Sequence, residues 1–414
     1  MSSRAGYKPT EIGEIPADWE IKQLGELVEY KKGKNPPEVV EERTPNTLPY
    51  LGIESLRTGI TNRWAREADS LVKVGSDDII LVWDGFYSGE AFMGFNGLLS
   101  STTVKVSPRV PYLDRNYLYY FLKTRFKELN SKHSGMYLKH VSKAVFESLK
   151  VPVPPLTGQQ RIASILLTVD DAIQKTDEIL EKTQQLKKGL MQQLLTKGIG
   201  HTKFKKTEVG EIPQEWATCR LQDACHEVTI GVVNPATPYY TTPDEGVPYF
   251  RTQNVRENIL EPTKIYVTHA FNLKHSKSIL REYDVLTVQT GFIGTSCLVP
   301  KKFEGANCHS LLITRTDAQK LKPDFFCQLM NSDVGHRIMA KFAQIAERGH
   351  ILLEDFRVMR IPLPAVEEQE KIVTILSTTD KKIASEKLRK QYLEKLKKEL
   401  LQVLLTGKVR VKVN

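Results

Sequence analysis

No apolar run in the 414-residue sequence approaches the ~18 residues that span a bilayer, so no transmembrane helix is expected. Residues Met1 to Pro16 lack an apolar core, and no secretory leader is expected either. Cysteine is scarce: Cys219, Cys225, Cys297, Cys308 and Cys327 all lie in the second half, with no C-x-x-C pair. That pattern predicts free thiols in a reducing cytoplasm. Cys225-His226 and Cys308-His309 could each begin a metal site, but neither has a second pair at ligand spacing, so no metal is predicted. The phosphate-cradling G-x-x-x-x-G-K-[ST] loop is missing, which argues against nucleotide hydrolysis. Asn35-Pro36-Pro37-Glu38 has the N-P-P of adenine-N6 methyltransferases, but Glu38 replaces the stacking aromatic and no glycine-rich cofactor loop precedes it. Glu20-Ile21-Lys22 lacks the upstream Pro-Asp of a nuclease site, and no Ser/His/Asp arrangement is recognisable. The chain is a poor candidate for an enzyme.

What the sequence does have is itself, twice. TEIGEIPADW (Thr10 to Trp19) returns as TEVGEIPQEW (Thr207 to Trp216), and VPVPPLTGQQRIASILLTVDDAI (Val151 to Ile173) as IPLPAVEEQEKIVTILSTTDKKI (Ile361 to Ile383). LKKGLMQQLLT (Leu186 to Thr196) returns as LKKELLQVLLT (Leu396 to Thr406). Between these anchors the echo is fainter. Asp78-Ile79-Ile80-Leu81-Val82 faces Asp284-Val285-Leu286-Thr287-Val288, each run reaching a glycine, Gly85 or Gly291. Lys139-His140-Val141 faces Gly349-His350-Ile351.

Each copy therefore has a globular part and an attachment. Apolar residues recur in steps of three and four at Ile162, Ile165, Leu166, Val169, Ile173, Ile179, Leu180, Leu186, Leu190 and Leu194. The second copy has them at Ile372, Ile375, Leu376, Ile383, Tyr392, Leu393, Leu396, Leu400 and Leu404. The pattern predicts two amphipathic helices near a heptad seam, each ~60 Å long, pairing antiparallel about a pseudo-two-fold axis with the globular parts at opposite ends. The globular parts read as α+β, with strands at Ile79 to Trp83 and Val285 to Val288 and shorter helices over Tyr117 to Leu129 and Phe325 to Phe342. Gly291-Phe292-Ile293-Gly294 reads as a turn that approaches a backbone.

This order of motifs resembles the specificity subunit of type I restriction-modification systems over essentially the whole chain. The resemblance implies an α+β fold with two pseudo-symmetric target-recognition domains, residues 1–155 and 200–365, joined by two long antiparallel spacer helices, residues 156–199 and 366–414. Each domain would read half of an asymmetric, bipartite DNA target, and the helices would fix the gap between the halves. Two methyltransferase subunits would dock on the chain and modify adenine at N6, and restriction subunits would complete a cytoplasmic endonuclease. S-adenosylmethionine, ATP and Mg would bind those partners, leaving this chain without cofactor or catalytic step.

Fifty-nine Lys+Arg against 49 Asp+Glu leave a net charge of +10, which suits phosphate contacts. Arg251, Gln253, Asn254 and Arg256 follow a short strand with side chains suited to base edges, and Arg57 is the counterpart of Arg256. Lys31, Lys32 and Lys34 form one basic loop; Lys132, His133 and Lys139 form another, matched by Arg348 and His350. The alternatives are a free-standing sequence-specific DNA-binding regulator and a protein scaffold built on the helix pair.

Overall fold

The computed structural model describes residues 5–131, 139–345 and 349–412. The chain divides into two units, Met1–Asp177 with Leu388–Asn414, and Glu178–Lys387. The two long helices, Leu156–Lys197 and Val366–Leu404, each pass from one unit into the other. Each unit thus holds one globular copy, the first half of its own helix and the last half of the other copy's.

The first globular part carries an antiparallel sheet in the order Val28–Lys32, Thr103–Pro108, Ile79–Val82, Ala91–Phe92. The second repeats it with Cys225–Ile230, Leu311–Thr316, Val285–Val288, Ser296–Leu298. The strands Ile79–Val82 and Val285–Val288 are buried along their whole length, which is why they read as unbroken apolar runs. A second sheet in each copy is mixed, with a parallel pair, Thr47–Leu51 beside Gly97–Leu99 and Gly246–Phe250 beside Asn307–Cys308. The fold is α+β in both copies.

The helix expected over Tyr117 to Leu129 is two, Arg115–Thr124 and Phe126–Ser131, broken at Arg125, whose N–H bonds back only three residues, to Leu122. The one expected over Phe325 to Phe342 is also two, Pro323–Met330 and Asp333–Ile345. Ser332 separates them, its hydroxyl oxygen accepting from the Gly335 N–H (3.2 Å) as a cap for the second.

The repeated opening motif forms a small hairpin in each copy, Tyr7–Thr10 with Gly13–Pro16 and Phe204–Thr207 with Gly210–Pro213. Gly13 and Gly210 have φ of 106° and 117°, a turn that side chains rarely adopt, and the Thr207 hydroxyl closes its turn on the Gly210 carbonyl (2.7 Å). The hairpins then receive helix ends. Ile15 and Trp19 are buried with Leu404 and Leu405 from the end of the second helix. Ile212 and Trp216 are buried with Leu194 and Leu195 from the end of the first. The motif is a socket for the other copy's helix.

At the start of each long helix a buried glutamine clamps the globular part. Gln159 accepts from the Asp114 N–H (2.8 Å) and donates to the Tyr112 and Pro154 carbonyls (2.9 and 2.8 Å). Gln369 accepts from the Lys322 N–H (2.8 Å) and donates to the Lys320 and Pro364 carbonyls (2.8 and 2.9 Å).

Within the first unit Asp170 pairs with Lys397, and Asp177 with Lys390 (2.6 Å). As one number rises by seven the other falls by seven, so the helices run antiparallel. In the second unit Lys187 pairs with Asp380 (2.6 Å). The buried stripe keeps the 3–4 spacing through Ile162, Leu166 and Val169 but continues through Thr176, and on the other helix through Ile372, Leu376, Thr379 and Glu386. Ile375, expected in the seam, is 38% exposed, and Ile179, Leu186 and Tyr392 are exposed as well. Each of the four sits one position out of phase with the buried spacing. Leu180, Leu190, Ile383, Leu393 and Leu400 are half-buried along the stripe, with Ile165, Ile173 and Leu396 beside them.

Among the described residues, no helix is long and apolar enough to cross a membrane, and no cluster of three His, Cys, Asp or Glu is arranged to hold a metal.

Candidate nucleic-acid interface

In the first copy, expected cations from three separate segments converge on one loop, residues 83–90. Lys31 and Lys32 lie in the strand Val28–Lys32 rather than in a loop, and Lys32 reaches Asp84 (2.8 Å). Arg57 ends the helix Ile53–Thr58, with its guanidinium 3.7 Å from the centre of the Tyr87 ring and its Nε 3.5 Å from Glu90. Lys139 sits 4.8 Å from the centre of the Phe86 ring. The Lys139 carbonyl accepts from the Gly85 N–H (2.7 Å) and the Trp83 carbonyl from the Val141 N–H (2.8 Å), so residues 139–141 run along the loop. Lys34 is exposed just beyond the strand.

The second copy builds the equivalent place differently. The backbones of Arg251 and Asn254 repeat the local turn that Gly52 and Ser55 make in the first: the N–H of Gly52 donates to Ser55 Oγ and that of Arg251 to Asn254 Oδ1, both at 3.0 Å. Asn254 is buried, and its amide nitrogen donates to the Pro262 carbonyl (3.3 Å), so its side chain is committed to the backbone rather than to a base. Arg251 and Gln253 are exposed. Burial, reinforced by the nearby Arg251 charge, holds His309 below the usual histidine range. Arg256 reaches Glu261 (3.6 Å) across the hairpin Val255–Arg256 with Ile259–Leu260. The backbone of His350 pairs antiparallel with that of Thr290, as the backbone of His140 pairs with that of Asp84. Lys132, His133 and Arg348 lie outside the described residues.

Arg256, Ile259 and Phe292 line a cleft of about 1240 Å³ that is walled on its other side by the helix pair. Its lining includes Lys187, Lys188, Lys381 and Lys387 with Arg256, five cations, against Glu257, Asp333 and Asp380, three anions. The balance favours a polyanion. Neither Phe86 nor Phe292 is an expected site residue, although both follow a glycine three residues beyond a matched apolar strand. The G-F echo was the available signal.

A profile described as the type I restriction modification DNA specificity domain matches residues 16–185 and again 213–395. The chain is 32% identical over 406 residues to the type I restriction enzyme MjaVIII specificity subunit of Methanocaldococcus jannaschii, covering 96% of this chain and 94% of that one. The putative MjaX specificity subunit of the same organism is 27% identical over 434 residues, covering 98% and 97%. Among solved structures, the S subunit of a type I restriction-modification system from M. genitalium aligns with a TM-score of 0.61 at 14% identity, covering 94% of this chain and 96% of that one, which supports the fold.

Proposed function

The chain belongs to the type I restriction-modification DNA specificity family, and from that premise we propose that its two globular copies each read one half of a split, asymmetric DNA target. It is the DNA-recognition subunit, and catalysis resides in its partner subunits. In the proposal, residues 1–155 and 200–365 are the two recognition domains, and the two long helices fix the gap between half-sites. Two methyltransferase subunits dock on the chain in the cytoplasm, and restriction subunits complete the complex.

The observation that carries the reading is the convergence in each copy. A sequence-matched arginine, Arg57 or Arg256, is delivered to the neighbourhood of a glycine-framed loop at the end of the matched buried strand. Arg251 and Gln253 supply further side chains for base edges, Lys31, Lys32, Lys34 and Lys139 supply charge for phosphates, and His350 supplies a further hydrogen-bonding group. Half-sites read from one frame on one duplex face lie about one helical turn, ~10 bp, apart.

Co-expression with its methyltransferase subunits in a methylation-free host, followed by genome-wide mapping of N6-methyladenine, tests the reading. A bipartite motif with a fixed gap is expected, and Arg251→Ala is expected to relax one half and leave the other intact. A stable complex that methylates no split motif would overturn it.

A further inference from the structure

Two exposed phenyl rings occupy the same place in the two copies. Phe86 is 69% exposed and Phe292 82% exposed, each directly after a glycine of positive φ, Gly85 (103°) or Gly291 (82°). The middles of the copies have otherwise diverged, and even the loop lengths differ: G-F-Y-S-G against G-F-I-G. The ring has been kept where the rest has not.

Its exposure does not come from a slack loop. In the first copy the Gly89 N–H donates to the Val82 carbonyl (2.7 Å) and the Ser88 N–H to the Gly85 carbonyl (3.0 Å). Asn130 donates from its amide to the Phe86 and Ser88 carbonyls (2.9 and 3.0 Å). In the second copy the Gly294 N–H donates to the Val288 carbonyl (2.9 Å) and the Thr295 N–H to that of Phe292 (3.2 Å). The closing glycines lie tight against a helix: a Cβ on Gly89 would stand 2.6 Å from the Leu129 Cβ, and one on Gly294 2.9 Å from His336 Cδ2. The backbone on both sides of the ring is held while the ring stands in water. Burying such a side chain is favourable, so a pinned, unburied ring is stabilisation left for a ligand.

The surroundings decide which ligand. A protein partner would want a contiguous apolar patch. Phe86 instead has Lys139 over its face and Tyr87 edge-on at 5.1 Å, with Arg57 over Tyr87. Phe292 shares its cleft with Arg256 and four lysines. An aromatic face among cations fits a polyanion that itself carries aromatic faces.

We propose that Phe86 and Phe292 are a matched pair of stacking residues, each placing its ring against a base step of the half-site its own copy reads. This rests on the DNA-reading function proposed above. Stacking is blind to base identity, so the ring fixes depth and register while neighbouring polar side chains discriminate.

The test uses the full chain in complex with its methyltransferase subunits, and duplexes carrying the mapped motif with 2-aminopurine at successive positions of one half-site. Phe86→Ala and Phe292→Ala should each weaken binding by about five-fold to about a hundred-fold, the range for loss of one stacked base. The dependence of affinity on salt should stay as in the wild type, because no phosphate contact is lost. Phe→Trp at either position should restore affinity. The 2-aminopurine fluorescence change should vanish in the half-site belonging to the altered copy and persist in the other. Unchanged affinity in both Ala variants would overturn the proposal. So would weaker binding that tracks with loss of the methyltransferase from the purified complex, since the rings would then be protein contacts. If the wild-type complex itself shows no selective binding, the DNA-reading function has failed and the stacking role with it, an outcome distinct from a selective wild type with indifferent variants.

Discussion

Asp170 and Asp380 are equivalent positions of the two copies, 210 residues apart, and each takes a lysine from the opposite long helix, Lys397 or Lys187, which are equivalent in turn. Their remaining partners differ. Asp170 accepts from the Tyr120 hydroxyl (2.8 Å), and burial together with that carboxylate pushes the phenol pKa well up. Asp380 accepts from the Gln328 amide (3.1 Å) and from Asn258 (3.5 Å), which stands at φ 60° in the turn of the hairpin that carries Arg256. The first copy ties the helix pair to a covering helix, whereas the second ties it both to the equivalent covering helix, through Gln328, and to the hairpin, through Asn258. A repeated frame can hold its globular part through whatever side chain the divergent middle supplies, provided the acceptor on the helix stays.

The comparison can be broken most forcefully at the sockets. Trp19→Ala and Trp216→Ala should each destabilise their unit by about 3–5 kcal/mol in urea denaturation. Trp216→Ala should cost about 1–2 kcal/mol more, because its indole N–H donates to Glu368 (2.9 Å), where the first copy has Gly158. Equal losses would mean that the Glu368 contact adds nothing. Next come the clamps. Gln159→Ala and Gln369→Ala should cost about 2–3 kcal/mol each and match one another, since both leave the same three backbone groups unpaired. A clear inequality would show that the copies are equivalent in geometry but not in energy.

The smallest effect separates two aspartates at one position. Asp78 and Asp284 each begin the buried strand and accept from a backbone N–H three residues earlier, Gly75 or Arg281 (both 2.9 Å). Burial alone would raise Asp78, but Lys105 at 2.7 Å and the Gly75 N–H outweigh it and hold the carboxyl below its ordinary value. For Asp284 burial wins over the Arg281 N–H and Arg315, and its value is raised. The stability from Asp78 is therefore present above the ordinary carboxylate range and lost as pH falls through its depressed value. The contribution of Asp284 has the opposite sign, being greatest at low pH and lost as pH rises through its raised value. Asp78→Asn should flatten the loss of stability on acidification below about pH 4, and Asp284→Asn should steepen that loss above about pH 4. Parallel slopes in denaturation series would refute the distinction.

The frame was legible because its parts obey local rules. Glycine at a left-handed turn, tryptophan in a socket and leucines in steps of three and four all leave a sequence trace. The seam was misread where it turns polar. Thr176 and Glu386 are buried in phase but look like interruptions, while Ile375 and Leu186 look like core and face water. At the candidate interface Arg57, Lys32 and Lys139 were legible as cations, but their meeting on one loop depends on three segments far apart in the chain. Asn254 resembled a base reader because a capping amide and a reading amide are chemically the same.

Because each socket takes the other copy's helix end, synthesis order and completion order are opposed. The second unit, Glu178–Lys387, can close as soon as its own residues have been made. The first unit needs Leu404 and Leu405 to fill the pocket beside Ile15 and Trp19, and so cannot be completed until the end of the second helix has been made. At about 5–20 residues per second, ten seconds or more separate the synthesis of the first socket from that of the residues that fill it. The copy that is written first is finished last.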